Sequence, residues 1–79
     1  MKRMVSIERP VVVGGADLPG PDAIRLAHDT HGWHVLEKDR PTYAPGAARA
    51  WLVCGRRAAF LCVDEAGWYI FEYAAEEVS

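Results

Sequence analysis

The sequence contains no apolar run long enough to cross a membrane, since none approaches ~18 consecutive apolar residues. The N-terminus does not form a secretory signal peptide either, because Glu8 and Arg9 interrupt the apolar residues before a usable hydrophobic region forms. We therefore expect a cytosolic protein without membrane contact.

Cysteine is scarce, with only Cys54 and Cys62 in the chain. In the cytosol both are expected to be reduced thiols. Both lie within predicted strands and are expected on one face of the sheet, too far apart along the strands for a disulfide. A thiol inside a strand is usually packed rather than activated, so neither cysteine is expected to act as a nucleophile.

The chain has almost no excess of either charge, because its 11 acidic and 9 basic residues leave a net charge of only −2. Direct nucleic-acid binding usually requires a basic surface, so this balance does not favour it. The hydrophobic content of 51% and the charged content of 25% are typical of a folded chain. With 79 residues, we expect a single domain over residues 1–79.

Most of the aromatic residues lie in residues 49–73, and we expect this segment to form the centre of the fold. Short apolar runs bounded by glycine and charge predict antiparallel strands. Three such strands are predicted at residues 49–54, 58–63 and 68–73, with turns at residues 55–57 and 64–67.

The two turns suggest the strand pairing, which we take to place Cys54 opposite Ala58 and Val63 opposite Trp68. Because side chains alternate between the two faces of a sheet, each face then has its own set. One face carries Trp51, Val53, Leu61, Val63, Trp68 and Ile70. The other face carries Leu52, Cys54, Phe60, Cys62, Tyr69, Phe71 and Tyr73. Neither set alternates with polar residues, so both faces must be covered.

The rest of the chain predicts one helix and further strands. Residues 22–31 form the helix, with Pro21 at its start and Gly32 as its stop. Residues 4–8 and 33–37 alternate as strands, and residues 11–13 either continue the first strand beyond Pro10 or form a strand of their own. Residues 42–48 are expected to be a loop, and residues 74–79 a frayed end or a last helical turn.

The fold class predicted from these elements is α+β. We expect a four- or five-stranded antiparallel sheet with one short helix packed across it, in the order β-α-β-β-β-β.

His28, His31 and His34 form the clearest cluster of metal-ligating residues. Three histidines can hold zinc, which would allow a metal-dependent hydrolase. However, Gly32 is expected to turn the chain between them, and the H-E-x-x-H motif is missing. We therefore predict no metal, no cofactor and no enzymatic activity, with the hydrolase as the enzyme alternative.

An interface is the more favoured function, because one helix can cover only one of the two apolar faces. The alternative is that the N-terminal segment and residues 42–48 cover the other face. Aromatic residues are favoured anchors of protein interfaces. Arg56 and Arg57 could meet an acidic group of a partner or could simply keep the hairpin tip soluble. The predicted partner-binding residues are Phe60, Tyr69, Phe71 and Tyr73, with polar contacts from Arg56, Arg57 and Glu72. The partner is either another protein or a second copy, so both a monomer and a homodimer stay open.

The segments A-I-R-L-A-H-D at residues 23–29 and G-W-Y-I-F-E-Y at residues 67–73, together with the Ala and Arg bias, resemble small anti-CRISPR proteins of phages and mobile elements. The overall sequence looks most like an inhibitor of type I-C effectors. This resemblance implies stoichiometric binding to the Cascade complex in the bacterial cytosol and a block of target DNA binding. The alternative is a small homodimeric regulator or antitoxin-like interaction module.

Overall fold

The computed structural model describes residues 2–77, which form one helix and a six-stranded antiparallel sheet. The elements are β1 (Lys2–Ser6), β2 (Val11–Gly14), α1 (Gly20–His31), β3 (His34–Val35), β4 (Ala48–Cys54), β5 (Arg57–Asp64) and β6 (Gly67–Glu77). The strand order is β1-β6-β5-β4-β3, with β2 also paired to β6. The predicted α+β fold is confirmed, and the sheet has six strands because β1 and β2 are separate. No helix within residues 2–77 has both the length and the apolar character needed to span a bilayer.

The eleven-residue strand β6 holds the sheet together, because β5 pairs along one side of it and both β1 and β2 pair along the other. Ser6 lies opposite Tyr73 and Val11 lies opposite Ile70, so residues 7–10 form a bulge opposite only two residues of β6. The backbone N–H of Ile7 still donates to the Glu72 carbonyl at 3.1 Å. Pro10 lies in this bulge, where it is not required to donate a ladder hydrogen bond.

The expectation for the C-terminal segment is wrong over the residues that the structure describes. Residues 74–77 belong to β6, because they pair with β1 in a register that places Lys2 opposite Glu77. They are therefore neither a frayed end nor a helical turn, and residues 78 and 79 lie outside the described residues.

The predicted register of the first hairpin is wrong by one residue, whereas that of the second hairpin is confirmed. Cys54 lies opposite Arg57, so the loop contains only two residues. Its first residue, Gly55, has a φ of 62°, a conformation that glycine adopts readily and that type II′ hairpin turns require at this position. Val63 lies opposite Trp68 as predicted. The one-residue shift moves β4's side chains to the opposite faces from those predicted.

The helix packs on one face of the sheet, which we call the helix-side face. Its core combines two fully buried helix alanines with Trp33 and large side chains of β4, β5 and β6. The buried members are Ala23, Ala27, Trp33, Ala50, Leu52, Ala59, Leu61, Trp68 and Ile70. Alanine at the contact positions lets the short helix approach the sheet closely.

The helix begins at Gly20, two residues before the predicted start, and ends before Gly32 as predicted. The backbone N–H of Trp33 donates to the Ala27 carbonyl at 3.1 Å, and that of Gly32 donates to His28 at 2.9 Å. With Gly32 in the left-handed conformation, the bond from Gly32 to His28 forms the αL C-terminal cap, and the bond from Trp33 satisfies a further carbonyl of the last turn. The backbone N–H of Trp33 is therefore bonded to the end of the helix and not to a neighbouring strand. The predicted strand over residues 33–37 is reduced to His34–Val35.

The opposite face, which we call the loop-side face, is covered in part by residues 43–47. Its buried members are Ala48, Phe60, Cys62 and Tyr73. Tyr43, Ala44 and Ala47 pack on them from the loop, and Met4 packs on them from β1. The predicted loop ends one residue early, because Ala48 already belongs to β4.

Candidate functional site

Two of the predicted interface aromatics, Phe60 and Tyr73, are buried, with 0% and 4% of their surface exposed. Their rings are stacked with centroids 4.7 Å apart. The Tyr73 hydroxyl accepts a hydrogen bond from Trp51 Nε1 at 2.9 Å and lies 3.4 Å from the Tyr43 hydroxyl. Burial, followed by the hydrogen bond with Tyr43, raises the pKa of Tyr73 to about 12. The expectation that these two rings are exposed is wrong, because residues 43–47 cover them.

Arg57, which was expected to project from the hairpin tip with Arg56, instead binds Glu72 of β6. Arg57 Nε donates to Glu72 Oε2 at 2.9 Å, and Arg57 Nη2 donates to Oε1 at 2.7 Å. The Arg57 guanidinium also lies 4.8 Å from the ring centroid of Trp33. The hydrogen bonds from Arg57 lower the pKa of Glu72, and the same pairing raises the pKa of Arg57.

This ion pair lies on the helix-side face, because Glu72 alternates with Phe71 along β6 and Arg57 packs on Trp33. Tyr69 and Phe71 lie on the loop-side face. The seven predicted partner-binding residues therefore do not form one surface. Arg56 is exposed in the first hairpin loop, next to Arg57 in the chain.

An apolar surface does form where β2 meets β6. Tyr69 and Phe71 are partly exposed there, and Val12, which lies opposite Tyr69, is 75% exposed. Together with Pro10 they line a shallow depression of about 390 Å³, and we call these four residues the aromatic patch. Trp68, Gly67, Ala66 and Asp64 complete the lining of the depression.

Sequence reasoning missed Pro10 and Val12 as members of this surface. Their position depends on the pairing of β2 with β6, two segments far apart in the chain. The available signal was the Val-Val-Val run after Pro10, which lacks the polar alternation of a strand with one solvent-exposed side.

The rim of the aromatic patch is acidic. Asp64 Oδ1 accepts hydrogen bonds from the backbone N–H groups of Ala66 at 2.8 Å and Gly67 at 3.2 Å, which hold this carboxylate in the second hairpin turn. Exposed Glu65 follows it. Burial, followed by the nearby Cys62 and Asp64, raises the pKa of Tyr69, so its hydroxyl is neutral at physiological pH. The surface thus offers apolar contact area beside a fixed negative charge.

The histidines approach one another only in part. The rings of His28 and His34 are in edge-to-face contact with centroids 4.9 Å apart, and His28 Nδ1 lies 2.9 Å from Asp29 Oδ1. His31 does not join them, and within residues 2–77 no three His, Cys, Asp or Glu side chains are placed to hold a metal ion. These residues therefore do not form the convergent three-histidine site considered from the sequence.

Both cysteines are free, but they lie on opposite faces of the sheet rather than on the same face. Cys54 packs against the helix-side core, and Cys62 is buried in the loop-side core. The two cysteines lie on opposite faces because the register of the first hairpin is shifted by one residue. Burial raises the pKa of the Cys62 thiol, which favours its protonated and less nucleophilic form.

A comparison of the sequence with protein-family models found no match, and comparisons with curated proteins and with solved structures found none either. The functional interpretation therefore depends on the aromatic patch, its acidic rim and the resemblance described above.

Proposed function

We propose that this protein is a non-enzymatic inhibitor in the bacterial cytosol that binds a type I-C Cascade complex and blocks its binding to target DNA. The observation that carries the proposal is the aromatic patch, where Tyr69 and Phe71 are left uncovered beside exposed Val12. The identity of the partner comes from the resemblance to anti-CRISPR proteins.

Uneven coverage of the loop-side face supports a docking role for the patch. Residues 43–47 cover the part that contains Phe60 and Tyr73, but they do not line the depression between β2 and β6. Single exposed apolar residues are common on protein surfaces, whereas adjacent ones in a depression more often mark a contact site. Tyrosine and phenylalanine are enriched in such sites.

The charge around the patch favours a partner with a basic surface. Asp64 lines the depression, exposed Glu65 follows it in the turn, and the whole chain has a net charge of −2. Complexes that hold nucleic acid present basic side chains to the phosphates, so an acidic rim can orient the patch next to such a surface. A net charge this small is too weak for imitation of DNA, so the proposed mechanism is steric occlusion of the DNA-binding surface.

The test measures binding of a fluorescent target duplex to a purified type I-C effector by anisotropy, with and without this protein. An equimolar amount of wild type should abolish duplex binding. Phe71→Ser should weaken the inhibition by about tenfold or more, because it removes a central aromatic anchor. Leu26→Ser makes the same apolar-to-serine change at an exposed helix residue away from the patch, serves as the control and should inhibit normally.

Two results would contradict the proposal: full duplex binding in excess protein, or inhibition unaffected by Phe71→Ser. Correct folding of each variant is checked by its thermal unfolding midpoint, because Phe71 also packs on the loop-side core.

The second candidate is a homodimeric regulator, and exposed side chains along the outer edge of the sheet favour it. Ile7, Val11 and Val12 are 53%, 42% and 75% exposed. An apolar edge can pair with a second copy. A concentration-dependent dimer in light scattering that is disrupted by Val12→Ser, together with no effector binding, would favour this candidate over the inhibitor.

A further inference from the structure

A second concave surface lies at the opposite edge of the sheet from the aromatic patch. It is a groove of about 690 Å³ between the helix, the segment after β3 and the first half of β4. We call it the cationic groove, because Lys38, Arg40 and Arg49 line it with Asp39 as the single acidic residue of the lining.

Two guanidinium groups converge in the cationic groove. Arg49 Nη1 donates to the carbonyl oxygens of Gly46 at 3.1 Å and Ala48 at 3.2 Å. Arg40 Nη1 donates to the same Ala48 carbonyl. The register of β4 shifts between Ala48 and Ala50, so Arg49 is the extra residue of a β-bulge. Such bulges re-aim a side chain, which explains how Arg49 reaches the loop.

The positive charge in the groove is not balanced by internal ion pairs. Among residues 2–77, the arginines paired with acidic side chains are Arg3 and Arg57, and neither Arg40 nor Arg49 is paired in this way. Two like charges held at one carbonyl repel each other, and an anion placed between them would lower the energy. The remaining guanidinium N–H groups can donate to a carboxylate in a paired geometry.

The apolar lining of the groove and the unpaired strand edge beside it favour a peptide over a small anion. Ile24, Val35, Leu36 and Trp51 line it with apolar surface beside the cations. β3 pairs only with Leu52 and Val53, and the backbone N–H of Leu36 donates to the Trp51 carbonyl at 2.7 Å. Within the described residues, no strand pairs with the first half of β4 on this side. An extended segment can lie along such an edge and place alternate side chains in the groove.

We propose that the cationic groove binds an extended acidic peptide segment of a partner protein. Its carboxylates meet Arg40, Arg49 and Lys38, and its alternate apolar side chains pack on Trp51 and Leu36. The aromatic patch is not part of this contact. A failure of peptide binding therefore would not contradict the proposed inhibitor function, and a failure of inhibition would not contradict the peptide site.

The experiment measures binding of a short, capped, fluorescent peptide of alternating glutamate and leucine to the full chain by anisotropy. Saturable binding that weakens with added salt is expected. Arg49→Gln should weaken binding by about tenfold, because it removes a charge-assisted paired contact. Asp39→Asn should strengthen binding, because it removes the acidic side chain of the groove. Arg25→Gln makes the same charge change on the helix, outside the groove lining, and should leave binding unchanged.

Lys38→Gln provides a second test in case Arg49→Gln impairs folding, since Lys38 is exposed. It should weaken peptide binding while the thermal midpoint stays the same. The proposal is overturned if neither Arg49→Gln nor Lys38→Gln weakens binding. It is also overturned if a glutamine–leucine peptide binds equally well, or if inorganic phosphate alone displaces the acidic peptide at comparable concentration.

Discussion

Single side chains determine which predicted surface residues remain available to a partner. Tyr73 is removed from the surface because its hydroxyl accepts a hydrogen bond from Trp51 and its ring stacks on Phe60. Glu72 is only 13% exposed at its side chain and is engaged by Arg57. Phe71, the residue before Glu72 on β6, and Tyr69, two positions further back, keep part of their surface exposed.

The Arg57–Glu72 pair predicts a pH-dependent stability. Because the pKa of Glu72 is lowered in the folded protein from its usual 4.5, the ionised carboxylate stabilises the fold above that pH. This stabilisation is lost as the pH falls through the lower folded-state pKa. Glu72→Gln should therefore lower the thermal midpoint at neutral pH, and its difference from wild type should shrink below about pH 4.5.

Glu76→Gln is the matched control for this measurement. Glu76 pairs with Arg3 at 3.3 Å, but both side chains are more than half exposed, so this pair should contribute little. A Glu72→Gln midpoint equal to that of Glu76→Gln, or a difference from wild type that does not change between neutral and acidic pH, would contradict the assignment.

At the scale of elements, local signals were sufficient where the chain pairs with its near neighbours. The second hairpin and the C-terminal end of the helix follow from turn and cap residues close in sequence. The first hairpin was mispredicted because Gly55-Arg56-Arg57 reads equally well as a two- or a three-residue loop. The length of β6 could not be predicted, because residues 74–77 become a strand only by pairing with β1 at the other end of the chain.

The docking of β2 on β6 depends on Gly67. Gly67 has a φ of 135°, and a Cβ atom there would lie 2.4 Å from the Gly14 carbonyl oxygen. Gly67→Ala should therefore displace β2 and cost about 2 kcal/mol in the free energy of unfolding, measured by urea denaturation. Because Gly67 also lines the depression at the aromatic patch, the same substitution should weaken partner binding.

Gly46→Ala is the control for this substitution, because its φ is not positive and no atom lies within 4 Å of the added Cβ. It should change the free energy of unfolding by less than about 0.5 kcal/mol. Equal stability of the Gly67→Ala and Gly46→Ala variants would show that β2 does not pack against Gly67 as described.

At the scale of the whole molecule, the sheet has two apolar faces that are covered unequally. The helix covers one face, and residues 43–47 cover only part of the other. The sequence predicted that one helix could not cover both faces, and this led correctly to Tyr69 and Phe71 as partly exposed residues. Which part of the second face the loop would cover could not be predicted, because a loop without regular structure carries no periodic signal.

The cationic groove was also beyond sequence reasoning. Arg40 and Arg49 are nine positions apart and lie on either side of a loop, so nothing in their spacing indicates that both donate to the Ala48 carbonyl. The contact depends on the β-bulge at Arg49, which appears only once the register of β4 against β5 is known.

The proposal that the aromatic patch is the partner-binding surface can be tested by hydroxyl-radical footprinting of the protein alone and bound to a type I-C effector. Tyr69 and Phe71 should be oxidised in the free protein and protected in the complex. Phe60 and Tyr73, which are buried throughout, should react weakly in both states. Unchanged oxidation of Tyr69 and Phe71 on addition of the effector would contradict the claim.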